Sequence, residues 1–247
     1  MKLFKQAVAE FIGTMILVFI GCGTAMLLGC EPTAGYLITA FAFGLGLLCS
    51  AYVIGGISGC HINPAVSFAM LVKGEMGYGR FFAYAGAQLL GAFAGSGMLA
   101  LIFGFGEIAD KTGAYGSNGL AGVNGSMAAG LLVELALTFV FVLTILGVTE
   151  KIENSAVSGV VIALSLTAVH ILGIGLTGTS VNPARSIAPA VFAAIKGNVQ
   201  PLKEVWIFII APLAGAALAA LVYTAFHRKK KEAKKEPPAD AEAPKNE

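Results

Sequence analysis

The chain has 247 residues, of which 57% are hydrophobic and 12% are charged, with a formal net charge of +2. Soluble domains usually carry about 25% charged residues. The composition therefore excludes an ordinary soluble domain and, with a mean hydropathy of +0.81, predicts a polytopic membrane protein. The charges also cluster, because all except Glu10, Glu134 and Arg185 fall in the tails and short connectors.

Six apolar stretches are long enough to cross a bilayer, since roughly 20 apolar residues in a helix span about 30 Å of hydrocarbon. They lie at about residues 6–28, 34–55, 81–104, 127–148, 156–176 and 203–226. A cleavable signal peptide is not expected, because Glu10 lies early in the first stretch and no tidy A-x-A cleavage site follows it.

An even number of spans puts both chain ends on one side of the membrane. With residues 1–5, 73–80, 149–155 and 227–247 there, that side carries twelve Lys and Arg residues against three on the other. The positive-inside rule then predicts cytoplasmic termini, and the compact ends favour a prokaryotic plasma membrane. Residues 227–247 are predicted to form a disordered basic tail. The tail is expected to anchor the topology, and it could also hold anionic headgroups of membrane lipids.

The two halves of the chain resemble each other. Residues 9–14 align with residues 133–138 at an offset of 124, and residues 58–67 align with residues 177–186 at an offset of 119. Each half, at about 5–105 and 127–226, carries three predicted spans, so the second half enters the membrane from the opposite side. Residues 1–226 therefore form one transmembrane domain built on an inverted repeat, a plan that places transport sites at the midplane between the copies.

Each half contains one Asn-Pro-Ala box, at Asn63-Pro64-Ala65 and at Asn182-Pro183-Ala184. The apolar segment after each box is too short to span, because the ten residues from Pro64 to Lys73 make about 15 Å of helix. Asn is a favoured N-cap, and Pro at the first helical position loses no hydrogen bond. Each box thus predicts a re-entrant half-helix, and the N-termini of the two half-helices should meet near the midplane.

Two helix N-termini facing one point would make the midplane electropositive, since each carries roughly +0.5 of an elementary charge. Asn63 and Asn182 are predicted to donate amide N–H groups to a water oxygen, which turns that water's hydrogens toward both mouths and hinders proton transfer. The residues before each box must be non-helical, and such backbone is tolerated at membrane depth only inside protein or against water. Their carbonyls are candidate water acceptors: Gly59, Cys60, His61, Ile62, Gly178, Thr179, Ser180 and Val181.

The two boxes in repeat register, the matching Glu10 and Glu134, and the run TSVNPARS at 179–186 resemble the aquaporin family of major intrinsic proteins over about residues 5–226. The resemblance implies an all-α membrane protein with six transmembrane helices plus two re-entrant half-helices, assembled as a homotetramer with one pore per subunit. It assigns a selectivity filter to Phe43, His170, Thr179 and Arg185. It also implies that the two glutamates support the re-entrant loops by accepting backbone hydrogen bonds.

The filter favours water as the solute. Phe43 with His170 is typical of water-selective members, whereas glycerol-conducting members tend to lack that His and to carry Asp at the position of Ser186. Arg185 also stands out independently of the resemblance. A buried Arg is costly in a membrane and is functional by default, and this one occupies the slot that Val66 fills in the first repeat.

The leading prediction is a passive channel that conducts single-file water and excludes protons and ions. The alternative is an aquaglyceroporin-like channel for glycerol or another small neutral solute, such as ammonia or hydrogen peroxide. A coupled secondary transporter also uses inverted repeats, but the two membrane carboxylates lie in distant spans and not in one cluster. No nucleophile–base set or metal-ligand spacing stands out, so no enzyme activity, cofactor, metal or nucleic-acid partner is expected.

Two further positions lie near the first box. Gly56 stands where the family often has His, and this change could widen the cytoplasmic vestibule. Cys60 immediately precedes His61 in the first loop, so its thiol is predicted to lie close to the lumen and to be a target for mercurials.

Overall fold

The computed structural model describes residues 1–30, 34–151 and 155–233, with side chains described for residues 1–30, 34–150 and 157–227. Within these ranges the chain forms helices and no strands. In chain order the helices are α1 (Lys2–Leu28), α2 (Ala34–Ser58), α3 (Pro64–Val72), α4 (Tyr78–Phe105), α5 (Met127–Lys151), α6 (Ser155–Thr177), α7 (Pro183–Ile195), α8 (Gln200–Glu204) and α9 (Ile207–Ala233).

Six long helices confirm the six predicted spans, because α1, α2, α4, α5, α6 and the α8–α9 segment are long and apolar enough to cross a bilayer. The last helix continues to Ala233 through the basic run that begins at Arg228. The first residues of the segment expected to be disordered are therefore helical, in keeping with the good helix propensity of Lys and Arg. Residues 234–247 of that segment lie outside the described residues.

Two shorter helices confirm the predicted half-helices. α3 has nine residues and α7 has thirteen, so at about 1.5 Å per residue neither can cross the hydrocarbon. Each half-helix packs on the last long helix of the opposite half, α3 against α9 and α7 against α4. The two halves are thus interlocked, and the ends of α3 and α7 are brought together between them.

The long helices pack in the same way in both halves. α1 lies between α2 and α4, and its repeat equivalent α5 lies between α6 and α9. Glycines at equivalent places permit the closest approach: a Cβ at Gly91 would lie 2.2 Å from the carbonyl oxygen of Phe11, and one at Gly215 would lie 2.4 Å from that of Leu135. Small residues at such contacts are a general device for packing helices in membranes.

Candidate functional site

The two loops that lead into α3 and α7 share an unusual backbone. Three residues in each have positive φ: Gly59 (92°), Cys60 (52°) and Ile62 (43°) in the first, and Gly178 (75°), Thr179 (45°) and Val181 (47°) in the second. A β-branched residue with positive φ is a genuine outlier. Such strain of Ile62 and Val181 persists only where surrounding groups hold the backbone in place.

Glu10 holds the first loop from the side of α1. Its Oε1 accepts a hydrogen bond from His61 N at 3.0 Å, and its Oε2 accepts one from Ile62 N at 2.6 Å. The side chain of Gln88 on α4 donates to Oε2 at 2.8 Å and to the Ser67 hydroxyl at 3.1 Å. The fully buried carboxylate thereby pairs two backbone N–H groups for which regular secondary structure offers no partner.

Glu134 holds the second loop in the same way from α5. Its Oε1 accepts from Ser180 N at 2.8 Å, and its Oε2 accepts from Val181 N at 2.9 Å. The third donor differs from that of the first half, because here the hydroxyl of Thr177 donates to Oε1 at 2.7 Å. Pro212 occupies the repeat position of Gln88, and its side chain has no hydrogen-bond donor.

The boxes begin the half-helices as N-caps. Asn63 Oδ1 accepts from Ala65 N at 2.8 Å, and Asn182 Oδ1 accepts from Ala184 N at 3.1 Å and Arg185 N at 3.3 Å. Each Asn is followed by Pro at the first helical position. The orphan N–H groups of both helix starts lie where the two loops meet, and their partial positive charges add there.

The two asparagines also join the halves to each other. Asn63 Nδ2 donates to the carbonyl of Val181 at 2.6 Å, and Asn182 Nδ2 donates to the carbonyl of Ile62 at 2.9 Å. The sequence predicted that the asparagine amides point at the lumen and that these carbonyls accept water. One hydrogen of each amide is instead used across the repeat interface, and the second hydrogen of each NH₂ group remains available.

The carbonyls of the two loops thus divide into two groups. Those of Ile62 and Val181 accept from the asparagines, and that of Gly178 accepts from Arg185 Nη2 at 3.2 Å. In the described part of the chain, the remaining carbonyls of the predicted set accept no hydrogen bond from another protein group: Gly59, Cys60, His61, Thr179 and Ser180. These are the groups left with unused acceptor capacity beside the half-helix ends.

Three of the four predicted filter residues come together beside the boxes. The rings of Phe43 on α2 and His170 on α6 stack with centroids 4.4 Å apart and planes 25° from parallel. The guanidinium carbon of Arg185 on α7 lies 4.8 Å from the Phe43 ring centroid, within the range of a cation–π contact. All three side chains are buried, and they border the same cavity.

The polar atoms of this cluster are arranged as one acceptor and one donor. His170 Nδ1 lies 2.9 Å from the carbonyl of Leu166, and because that oxygen only accepts, Nδ1 carries the hydrogen and a neutral ring leaves Nε2 as an acceptor. Neither His170 Nε2 nor Arg185 Nε has a hydrogen-bond partner among the described residues. The cluster therefore contains one buried acceptor and one buried donor that no protein group satisfies.

The side chain of Thr179 is placed differently from the other three. It is fully buried and does not line the cavity. Its hydroxyl oxygen packs against α6, where a Cβ at Gly173 would lie 2.4 Å away. At this position the hydroxyl and the backbone carbonyl both lack a hydrogen-bond partner among the described residues, and the hydroxyl faces α6 and not the cavity.

The cavity between these groups is narrow. Its wall combines the boxes and the filter with apolar side chains from both halves, including the repeat-equivalent Leu17 and Phe141. The volume open to the centre of a water molecule is about 10 Å³, which is about the space that one water needs. At this level the cavity therefore has room for about one molecule of the size of water.

Two residues at the site were not predicted from the sequence. Gln88 is one of them, although a polar side chain in an apolar span is a signal of a buried partner. Asn118 lies in the Gly-rich connector between the halves, and its Oδ1 accepts from Arg185 Nη1 at 2.9 Å. An isolated Asn among glycines is more typical of a turn, so no local pattern distinguished it.

Similarity to known proteins agrees with this geometry. A family model described as major intrinsic protein matches residues 1–223. The chain is 41% identical over 220 residues to Aquaporin Z of Brucella melitensis biotype 1, which covers 87% of this chain and 94% of that protein.

Solved structures with low sequence identity share the fold. The aquaglyceroporin from Plasmodium falciparum is similar with a TM-score of 0.80 at 23% identity, over 90% of this chain and 95% of that chain. A protein described as an FNT family ion channel is similar with a TM-score of 0.58 at 16% identity, over 93% of this chain and 89% of that one. At these identities the likeness concerns the fold alone.

Proposed function

The chain belongs to the major intrinsic protein family and is a multi-pass membrane channel, not a member of an enzyme class, and we propose that it conducts water passively, in single file, while excluding protons and ions. The family and the similarity to an Aquaporin Z support a channel for small neutral molecules. The choice of water over larger solutes rests on the geometry of the filter.

The observation that carries the proposal is the constriction at Phe43, His170 and Arg185. The stacked rings of Phe43 and His170 occupy one side of the cavity, and the room left is about that of one water molecule. His170 and Arg185 both line this cavity and carry an unpaired acceptor and an unpaired donor, and a water that reached these atoms would regain part of the hydration that it loses on entry. A glycerol molecule needs a wider passage with an apolar wall for its carbon chain.

Ion and proton exclusion is proposed to arise from the positive field of the half-helices. The N-termini of α3 and α7 meet where Asn63 and Asn182 cross, and the dipoles of both helices oppose a cation there. The cavity lining in the described residues includes Arg185 and no carboxylate. A water that accepts the spare N–H of either asparagine must point its hydrogens away from the midplane, which interrupts a proton wire.

The competing function is conduction of glycerol or another small neutral solute. Both functions need the same fold, so the decisive measurement compares two solutes in one preparation. The protein is reconstituted into liposomes, and vesicle shrinkage is followed by light scattering after a sucrose gradient for water and a glycerol gradient for glycerol. We expect water permeability well above that of empty vesicles and glycerol permeability close to theirs.

Three outcomes decide between the readings. Water permeability no higher than that of empty vesicles would overturn the proposed function. Glycerol uptake at a rate comparable to that of a known facilitator, measured in parallel vesicles, would favour the aquaglyceroporin-like reading. Transport that disappears when an ion gradient is collapsed would favour a coupled transporter.

The assembly and orientation are also proposals. Family membership supports a homotetramer with one pore per subunit, in which lipids and neighbouring copies cover the apolar side chains exposed on the single chain. The distribution of Lys and Arg supports a plasma-membrane location with both termini in the cytoplasm. Cross-linking in native membranes tests the first, and protease access to the C-terminal segment in sealed inside-out and right-side-out vesicles tests the second.

A further inference from the structure

Asn118 lies in the connector between the two halves, yet it is only 3% exposed. Its Oδ1 accepts two hydrogen bonds, from Arg185 Nη1 at 2.9 Å and from the Ser186 hydroxyl at 2.8 Å. Its Nδ2 donates to the carbonyl of Thr177 at 3.2 Å. One amide thus ties the end of α6 to the first turn of α7, on both sides of the loop at residues 178–182.

The guanidinium of Arg185 is held entirely by neutral acceptors in the described structure. Nη1 also donates to the carbonyl of Gly116 at 3.0 Å, and Nη2 donates to that of Gly178 at 3.2 Å. No ion pair joins Arg185 to a carboxylate within the described residues. Its positive charge is therefore not cancelled, and Asn118 supplies its one side-chain acceptor there, while the other two acceptors are backbone carbonyls.

The space around Arg185 is unequal on its two sides. On the lumen side the Phe43 ring centroid lies 4.8 Å from the guanidinium carbon. A second cavity, of about 210 Å³, also borders Arg185, with Lys111, Ser117 and Thr39 among its other lining residues. A guanidinium released from Asn118 has room to move into this cavity, and any movement off the Phe43 ring would widen the constriction.

We propose that Asn118 is a positioning residue for the filter, which fixes Arg185 beside Phe43 with a neutral amide and so keeps the constriction narrow while leaving the arginine charge free to repel cations. The inference rests on the proposed function as a water channel. Neutrality matters, because an Asp at this place would offer the same acceptor oxygens but would put a negative charge directly against the guanidinium.

The first test replaces Asn118 by Ala in two backgrounds, the natural chain and Arg185→Val, which carries the residue of the first repeat. Removal of a hydrogen bond to a charged group shifts the held-to-released ratio of Arg185 by about tenfold or more. Glycerol should pass only through the small fraction of channels in which Arg185 is released. We therefore expect Asn118→Ala to raise glycerol permeability by about tenfold in the natural background. In the Arg185→Val background the same change should add less than about twofold, since there is no guanidinium to position.

Two results would overturn the inference. Glycerol permeability of Asn118→Ala equal to that of the natural chain would show that Asn118 does not hold the filter. An equal rise in both backgrounds would show that Asn118 acts on the structure of the loop and not through Arg185. Failure of the proposed function is distinguishable from either, because then the natural chain itself carries no water above empty vesicles.

The second variant, Asn118→Asp, keeps the test decisive where the alanine variant does not assemble. Its carboxylate retains the acceptors for Arg185 and Ser186 and loses the donation to Thr177, so we expect glycerol permeability within about twofold of the natural chain. The added charge should lower the cation barrier, seen as a sodium leak in vesicles loaded with a sodium-sensitive dye. A glycerol leak as large as that expected for Ala, or an unchanged sodium barrier, contradicts the proposed role of the neutral acceptor.

Discussion

Replacing Glu134 by Gln should destabilise the second loop, although the two side chains have nearly the same shape. Ser180 N and Val181 N lie on opposite oxygens of the carboxylate, at 2.8 Å from Oε1 and 2.9 Å from Oε2. An amide has only one oxygen, so in either orientation its NH₂ group faces a backbone N–H that then has no acceptor. The same conflict arises at Glu10, where His61 N and Ile62 N occupy the two oxygens.

The magnitude follows from the bonds. An unsatisfied buried donor costs about 1–3 kcal/mol, and each of the two remaining bonds loses about 1 kcal/mol when its acceptor is no longer charged. Removal of a buried charge offsets part of this, because the desolvation cost of the carboxylate disappears. We therefore expect a net loss of about 2–4 kcal/mol in the free energy of unfolding for Glu134→Gln and for Glu10→Gln.

The assay is detergent unfolding followed by circular dichroism, with water permeability of reconstituted vesicles as the functional measurement. Glu107→Gln is the matched control, because Glu107 is exposed in the connector between the halves, and surface changes usually stay within about 0.5 kcal/mol. If Glu134→Gln were as stable and as permeable as Glu107→Gln, the account of the carboxylate as the support of the loop would be wrong.

Three further predictions concern the filter, the first loop and the helix packing. His170→Gly removes one of the two stacked rings of the filter, so glycerol should enter faster in the vesicle assay, and unchanged selectivity would contradict the role assigned to that ring. Mercurials should reduce water flux through Cys60, and equal inhibition of Cys60→Ser would refute this assignment. Gly91→Val should cost about 3 kcal/mol of unfolding free energy, because its Cβ would meet a backbone carbonyl at 2.2 Å. Gly86→Val on the same helix has open space within 4 Å and serves as the control, and equal stability of the two valine variants would argue against close packing of α1 and α4.

The elements that the sequence predicted well are those that local chemistry determines. Both half-helices begin at the predicted prolines, because Asn as N-cap and Pro at the first helical position are local signals. The six spans follow from hydropathy and length alone. The inverted repeat predicted that the two halves enter the membrane from opposite sides, and therefore that the two boxes meet at the N-termini of α3 and α7.

The details that the sequence could not supply depend on contacts between distant residues. Asn63 and Val181 are 118 positions apart, and Asn118 and Arg185 are 67 positions apart. No local pattern shows that the asparagine amides cross to the opposite loop. Nor could spacing reveal that Thr179 turns its hydroxyl toward Gly173, because that orientation follows from the positive φ of Thr179 and the absence of a side chain at Gly173.

The left-handed backbone of the two loops has a consequence for how this lumen can be altered. Along residues 59–62 and 178–181 the acceptors beside the half-helix ends are peptide carbonyls, and a peptide group is retained whatever side chain is substituted. Exchange of side chains there changes strain and packing, while the number of acceptors stays the same. Remodelling this part of the cavity therefore means changing what orients the peptides, above all Glu10 and Glu134, neither of which lines the cavity. The residues that most affect the shape of the lumen therefore lie behind its wall and not in it.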